Sequence, residues 1–315
     1  MDRWESDSQS AGTPLPSRKL RDHREYRDML LGEQAAAINI PRSPSRQWLD
    51  YIVAEGDDWI IAGDIEVPDH STDMLRLVLL TAMARGIKKL IINGDLIATD
   101  QAALNAWLST WRTGEESIYE ADIEQVRAIL IEFARWFETI IVIEGNHDDR
   151  IARKTGGEVY LGMFIPGDLA QYSRYSYMYI RTSKRGLIKT VHPDNFSKTP
   201  VKLAQEFYAA ERGPRFDPLN PFATLEKCHF VVSHTHIDQS GWSPDGVYEM
   251  HAIGTCRDDT RTAYKNKGQN KHYQWNPSFL VIQGGHFHHM HFWGTDWAQE
   301  LGAGPTLKRM ISRQR

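Results

Sequence analysis

The chain has only two cysteines in 315 residues, Cys228 and Cys256. Neither sits in a CxxC pair, which argues against a thiolate zinc site and against a disulfide framework. No stretch approaches the roughly 18 consecutive apolar residues that a membrane span requires. The first residues, MDRWESDSQSAGTPLPSRKLRDHREYR, lack the apolar core of a secretory leader, so a reducing cytoplasm is the expected compartment. An excess of basic charge is missing too. Lys and Arg number 37 against 41 Asp and Glu, a net charge of −4 that gives no overall pull toward nucleic acid or anionic membrane. There is no internal repeat. What remains, 41% hydrophobic and 25% charged residues, is the composition of a soluble globular protein long enough for one sizeable domain with appendages or for two small domains.

The expected organisation has three parts. Residues 1–57 form an N-terminal appendage, disordered over 1–19 where Ser, Pro, Gly and charge concentrate, helical over 20–38, and with a short helix over 45–54 capped by Ser45. Residues 58–292 carry the regular pattern, and 293–315 are a polar tail with a basic end. Within the middle part, WIIAGD (59–64) reads as a short buried strand. A helix follows over 71–85 with Ser71 or Thr72 as N-cap and Gly86 as its stop. KLIIN (89–93) is a second strand, a long helix covers about 120–138, and 140–143 is a third strand. Strand, helix, strand, helix, strand predicts a parallel sheet with right-handed crossovers. The second half reads as strands at 175–181, 187–191, 229–234, 247–253 and 279–283 with a helix over 199–210, forming a mixed or antiparallel sheet that faces the first.

The chemistry concentrates where strands end. Three strands of the first half stop in Gly63-Asp64, Gly94-Asp95 and Gly145-Asn146-His147-Asp148; two of the second half stop in His192 and in His234-Thr235-His236. A lone Gly-Asp after a strand is commonly a turn that caps the next helix, and a lone histidine there is commonly structural. Five such clusters, all of metal-ligand type and all at strand ends, point instead to divalent cations. Asp, Asn and His together suit Mn²⁺, Fe²⁺, Zn²⁺ or Mg²⁺. Two ions about 4 Å apart need a shared carboxylate, and Asp95 is the natural bridge.

This order, GD(64), GD(95), GNHD(145–148), H(192) and SHTH(233–236), resembles the calcineurin-like metallophosphoesterase superfamily. The EGNHDDRIAR continuation and the Pro68-Asp69-His70 that follows the first motif are most similar to its bacterial and phage branch. The resemblance covers roughly residues 59–292. It implies an α/β fold of two facing mixed sheets flanked by helices, a four-layer sandwich. It implies hydrolysis of phosphoesters by a hydroxide activated between two metals. Asp64 and His236 would bind the first metal, Asp95 would bridge, and Asn146, His192 and His234 would bind the second. His147 would be the general acid or transition-state stabiliser, oriented by Asp148 through a hydrogen bond. One position departs from the pattern: Glu66 stands where the family's Asp-x-His places a histidine. Either it ligates, favouring Mn²⁺ or Mg²⁺ over Zn²⁺, or it points away and leaves the first metal weakly held. Manganese is the expected metal.

Arg150 follows GNHD, and Arg257 and Arg261 lead a stretch, RDDTRTAYKNKGQNK, in which cations alternate with Tyr264. Such a mixture suits a nucleic-acid backbone, and a solvated loop balanced by Asp258 and Asp259 fits it as well. The expected substrate is a phosphodiester of nucleic-acid or nucleotide type. The alternatives are a phosphomonoesterase or protein phosphatase, and a non-catalytic scaffold with a degraded metal site. No membrane partner is expected, and the oligomeric state is open. His286, His288, His289 and His291 read as a histidine-rich outer strand, with an auxiliary metal site as the alternative; Trp107 and Trp111 read as packing residues.

Overall fold

Successive side chains of a strand face opposite ways, and that alternation decides the layers of this protein. The computed structural model describes residues 51–99, 101–110, 118–195, 197, 199–210, 228–258, 275–293, 295 and 297–301. These belong to one compact unit, residues 50–315. In chain order the strands are β1 (Val53–Glu55), β2 (Trp59–Ala62), β3 (Lys89–Asn93), β4 (Thr139–Ile143), β5 (Gln171–Ser173), β6 (Tyr177–Thr182), β7 (Gly186–Val191), β8 (His229–Val232), β9 (Gln239–Trp242), β10 (Glu249–Ala252), β11 (Ser278–Gln283) and β12 (His286–His291). The helices are α1 (Thr72–Arg85), α2 (Gln101–Thr110), α3 (Ile118–Ala134), α4 (Asp149–Lys154), α5 (Pro200–Ala210) and α6 (Trp297–Glu300).

Two mixed six-stranded sheets result, one in the order β12-β11-β2-β3-β4-β5 and the other β1-β6-β7-β8-β10-β9. Strands β2, β3 and β4 run parallel with Ile61 opposite Ile91 and Ile91 opposite Ile141. Those three isoleucines and Ile143 pack against Met178, Ile180, Ile188 and Val231 of the second sheet. The intervening residues Ile60, Ala62, Leu90, Ile92, Ile140 and Val142 pack the opposite way, against Met74 and Val78 of α1, Leu104 of α2 and Leu130 of α3. The outer face of the second sheet, with Phe230, Val232 and Met250, is covered by Val201, Ala204 and Tyr208 of α5. Helices, sheet, sheet and helix make the expected four layers. Because each Val, Leu, Ile, Phe or Met among these contributes about 1.5–3 kcal/mol on burial, the three contact zones fix how the sheets stack.

Local signals act as expected along α1. The Ser71 hydroxyl accepts from the Met74 amide at 3.3 Å, and Gly86 closes the helix at φ 68°. Trp107 is buried against Tyr119 and Phe164. Among the described residues no helix is long and apolar enough to cross a membrane.

Two expectations are corrected. Where the short helix over 45–54 would end, Val53–Glu55 is a strand, parallel to β6 with Val53 opposite Tyr179; the β-branched Val53 suits an edge strand, and Gly56 stops it at φ 131°. Phe279–Gln283, expected in the second sheet, lies instead in the first, antiparallel to β2 with Leu280 opposite Ile61. Its run Ser278–Ile282 is buried throughout, as in a strand covered on both faces, and its two edges pair with β2 and β12. The expectations on residues 1–50, Trp111, Arg261 with the rest of the basic stretch, and the basic C-terminal end lie outside the described residues.

Candidate metal centre

Each ligand-type cluster leaves the carboxyl end of a strand with parallel partners: β2, β3 and β4 in one sheet, β7 and β8 in the other. What brings the two sets of ends together is Asn93, the last residue of β3. Its amide donates to the Val191 carbonyl at 3.2 Å and to Ser233 Oγ at 3.1 Å, and accepts from Thr190 Oγ1 at 2.6 Å. Its backbone carbonyl accepts from Ser233 Oγ at 2.6 Å and lies 2.9 Å from His192 Nδ1. The next residue, Gly94, has φ 79°, and a Cβ there would collide with the His192 ring. Gly145 is held as tightly, since its Cβ would meet the Asp95 backbone. Glycine is required at both places for close approach.

Five non-glycine residues among those described adopt positive φ: Asp64 (51°), Glu66 (52°), Asp95 (51°), His234 (74°) and His236 (57°). All five are residues singled out from the sequence as metal ligands. Left-handed backbone at non-glycine positions is costly and clusters at functional sites.

Their side chains form two groups. Asp64, Glu66 and His236 bring one donor atom each to within 4.8 Å of one another, as do Asp95, His192 and His234. These are the only groups of three or more such donors among the described residues. His236 Nε2 lies 3.2 Å from Asp64 Oδ1 and 3.1 Å from Glu66 Oε1. His192 Nε2 lies 3.2 Å from Asp95 Oδ2 and 3.0 Å from Asn146 Oδ1. Two ligand atoms each about 2.1 Å from one ion stand about 3.0–3.4 Å apart at octahedral or tetrahedral angles, so the spacing fits a divalent cation. The groups adjoin, for the His234 amide donates to Asp64 Oδ2 at 3.0 Å and its ring centroid is 5.2 Å from that of His192. Asp64 Oδ1 and His236 Nδ1 are buried without a hydrogen-bond partner.

Electrostatics agree with the fit. Burial alone would lower His192 and His236. Asp95 overrides it for His192, and Asp64 with Glu66 overrides it for His236, so both imidazoles are raised to about 10. Burial would raise Asp95, but His192 holds it well below the usual carboxylate range. His234 is lowered, by burial first and then by His192. The carboxylates thus attract positive charge strongly, while His234 stays a neutral donor.

The remaining predicted residues take different places. The His147 amide donates to Asp95 Oδ1 at 2.8 Å, so the residue borders the second group. Arg150 donates to the Thr99 carbonyl at 2.7 Å, and its other terminal nitrogen lies 3.1 Å from His147 Nε2. Asp148, expected from the resemblance to orient His147, is engaged by backbone amides. Its two oxygens accept from the amides of Gly145 (2.8 Å), Ile97 (3.1 Å) and Leu96 (3.3 Å). A fully buried carboxylate needs such donors, and burial followed by Asp95 pushes it up to about 7. Arg257 is 8% exposed and directed at Glu66 and Asp69, both carboxylates. The histidines of β12 form the outer edge of the first sheet, where His289 Nδ1 meets Asp238 Oδ2 at 2.9 Å and His289 Nε2 meets His251 Nδ1 at 2.8 Å. Sequence reasoning missed Asn93, Ser233 and Thr255, whose hydroxyl donates to the Asp64 carbonyl at 2.9 Å. Only the polar side chain at the end of a buried run could have signalled Asn93.

No protein-family model and no curated protein sequence matches the chain. Among solved structures it is similar to Yfce, a phosphoesterase from E. coli, with 16% identity over 72% of this chain and 88% of that one and a TM-score of 0.40. It is similar as well to Vps29 from Chaetomium thermophilum (12% identity, 71% and 81% of the two chains, TM-score 0.36). A third is a predicted phosphoesterase from Streptococcus pneumoniae TIGR4 (11% identity, 75% and 97%, TM-score 0.33).

Proposed function

We propose that the chain is a metal-dependent phosphoesterase of the calcineurin-like type, acting on phosphodiesters of nucleic acids or nucleotides ahead of phosphomonoesters. The observation that carries the reading is the coincidence of strain and chemistry: the five left-handed non-glycine residues are five donors of two adjoining three-donor groups. Asp64, Glu66 and His236 would hold one cation, and His192, His234 and Asn146 the other, with Asp95 shared. Two divalent cations, Mn²⁺ first among them, would supply a water of lowered pKa and neutralise charge on the phosphoryl oxygens.

The protein's own groups would do the rest. A guanidinium only donates, so while Arg150 holds His147 Nε2 the imidazole carries its proton on Nδ1. An anionic phosphoryl group competes for Arg150 better than a neutral imidazole, because charge-assisted bonds are the stronger ones. Substrate binding would therefore draw Arg150 to phosphate and free Nε2 to take up a proton from solvent, which His147 would then pass from Nε2 to the leaving oxygen as general acid. Asp148 fixes the loop that presents His147 by tying Gly145 to Leu96 and Ile97. The diester preference rests on the cations of residues 261–271 and their interleaved tyrosine.

The test is a screen of Mn²⁺-loaded and chelated protein against p-nitrophenyl phosphate, bis-p-nitrophenyl phosphate, single-stranded DNA, RNA and cyclic nucleotides. Metal-dependent hydrolysis with a diester faster than the monoester is expected. A protein that takes up no metal is not this enzyme.

A further inference from the structure

Glu66 is divided between two partners. Its Oε1 lies 3.1 Å from His236 Nε2, inside the candidate metal centre. Its Oε2 accepts from Arg257 Nη1. Arg257 is in turn fixed from three sides. Its Nη2 donates to Asp69 Oδ2 at 2.7 Å, its amide donates to Thr255 Oγ1 at 2.9 Å, and its backbone forms an antiparallel bridge with His70. Glu66 is 1% exposed and Arg257 8%. A planar fork shared by two carboxylates has little freedom to follow either one alone. One oxygen of Glu66 is therefore committed to Arg257 and one is left for a ligand. The guanidinium also offsets a second carboxylate charge next to Asp64, in a place where water cannot screen it.

We propose that Glu66 and Arg257 act as one unit that sets the cation class of the Asp64–Glu66–His236 group, Arg257 leaving Glu66 a single ligand oxygen and the group directed to hard, oxygen-preferring cations such as Mn²⁺ and Mg²⁺ rather than Zn²⁺. Arg257 is a positioning residue in this unit. The inference rests on the preceding reading that the group holds a cation. It adds that position 66 and position 257 are coupled: a neutral donor at 66 would leave a buried guanidinium facing the cation, and removal of that guanidinium would restore binding.

The test is calorimetric titration of the metal-stripped full chain with Mn²⁺ and with Zn²⁺, with thermal melts of each variant showing that it is folded. Wild type should take up two equivalents of Mn²⁺; if it takes up none, the reading of the site fails and not merely the coupling. Glu66→Gln, close in shape, has one amide oxygen for two duties and should weaken one equivalent about tenfold or more while sparing the other. Glu66→His should weaken the same equivalent at least as much. Adding Arg257→Met to Glu66→His should recover most of the loss and raise the Zn²⁺-to-Mn²⁺ preference about tenfold. The proposal is overturned if Glu66→Gln binds both equivalents as wild type does, or if the double variant binds no better than Glu66→His, the result a merely structural arginine would give.

Discussion

Asn93 is the point at which the two sheets are tied beneath the site, and its removal gives a test of the geometry that needs no knowledge of substrate. Asn93→Ala deletes three side-chain hydrogen bonds, to the Val191 carbonyl, to Ser233 Oγ and from Thr190 Oγ1. Two of the partners keep other bonds: the Val191 carbonyl still accepts from the Ser233 amide at 3.3 Å, and Ser233 Oγ still donates to the residue-93 carbonyl at 2.6 Å. The Thr190 hydroxyl, fully buried, loses its partner. At about 1 kcal/mol for each neutral bond and about 1 more for the orphaned hydroxyl, the loss is about 3–4 kcal/mol. For a unit of this size that lowers the melting temperature by roughly 10 °C. Thr190→Val in the same background removes the orphan, so the double variant should lose about 1 kcal/mol less than Asn93→Ala alone, and at least about 2 kcal/mol less than the sum of the singles, which counts their shared bond twice. The assay is thermal melting of the four proteins of the cycle. The ligand side chains are untouched and His192 Nδ1 bonds the residue-93 backbone, so Mn²⁺ stoichiometry should not change. A melting shift below about 2 °C for Asn93→Ala, by the same scaling, would refute the stitch.

Three further outcomes follow from the same structure. His147→Ala should reduce bis-p-nitrophenyl phosphate hydrolysis by about 10²- to 10⁴-fold with both equivalents of Mn²⁺ retained; unchanged turnover would remove His147 from the mechanism. Chelation should lower the melting temperature, since occupancy at about 100-fold over Kd contributes about 2.7 kcal/mol per site, and re-addition of Mn²⁺ should restore it. His229, 6% exposed, is lowered to about 4 by burial, with the Glu249 carboxylate opposing; its Nδ1 accepts the Glu249 amide at 3.0 Å, a bond that protonation breaks. Its folded pKa lies below its unfolded value of 6.5, so the unfolded state binds the extra proton and stability is full above about pH 6.5 and falls as pH drops toward 4. The whole shift corresponds to about 3 kcal/mol, of which about 2 falls between pH 7 and pH 5. His229→Asn, which keeps an acceptor without titrating, should flatten the melting temperature between pH 7 and pH 5 by that amount; an unchanged pH profile refutes it.

The ligand-bearing strands of the first sheet were legible as short β-branched runs closed by glycine, with Asp64, Asp95 and Asn146 just past those glycines, and those of the second sheet as apolar runs that end in histidine. The composition of a run does not say which sheet it joins, which is why Phe279–Gln283 went to the wrong one. QSGW (239–242) has a glycine inside a strand and no alternation of apolar and polar residues, so nothing marked β9. The partner of Glu66, Arg257, is 191 residues distant, and no local pattern links them. The backbone partners of Asp148 were not legible either. This residue is adjacent to His147 in sequence at the start of a helix, where consecutive side chains do not face each other, and buried amides claim its oxygens.

The left-handed residues explain why the ligands come as Asp64-x-Glu66 and His234-x-His236. In an extended strand such pairs would share a face but move apart along it by two residues' rise, roughly 6.5 Å. With both members in the left-handed region the backbone coils, and the pairs interlock: His236 meets Asp64 and Glu66, and the His234 amide meets Asp64. Such conformations each cost on the order of 1–3 kcal/mol, so bonds from outside the loops must hold them. Asp64 and Glu66 donate to the carbonyls of Gly94 (3.1 Å) and Asp95 (2.9 Å), and the Cys256 amide donates back to the Asp64 carbonyl at 3.2 Å. The two strand ends and the 255–257 segment thus carry the strain jointly. Weakening any one of them reaches the donor atoms through the backbone, without a change in any ligand side chain.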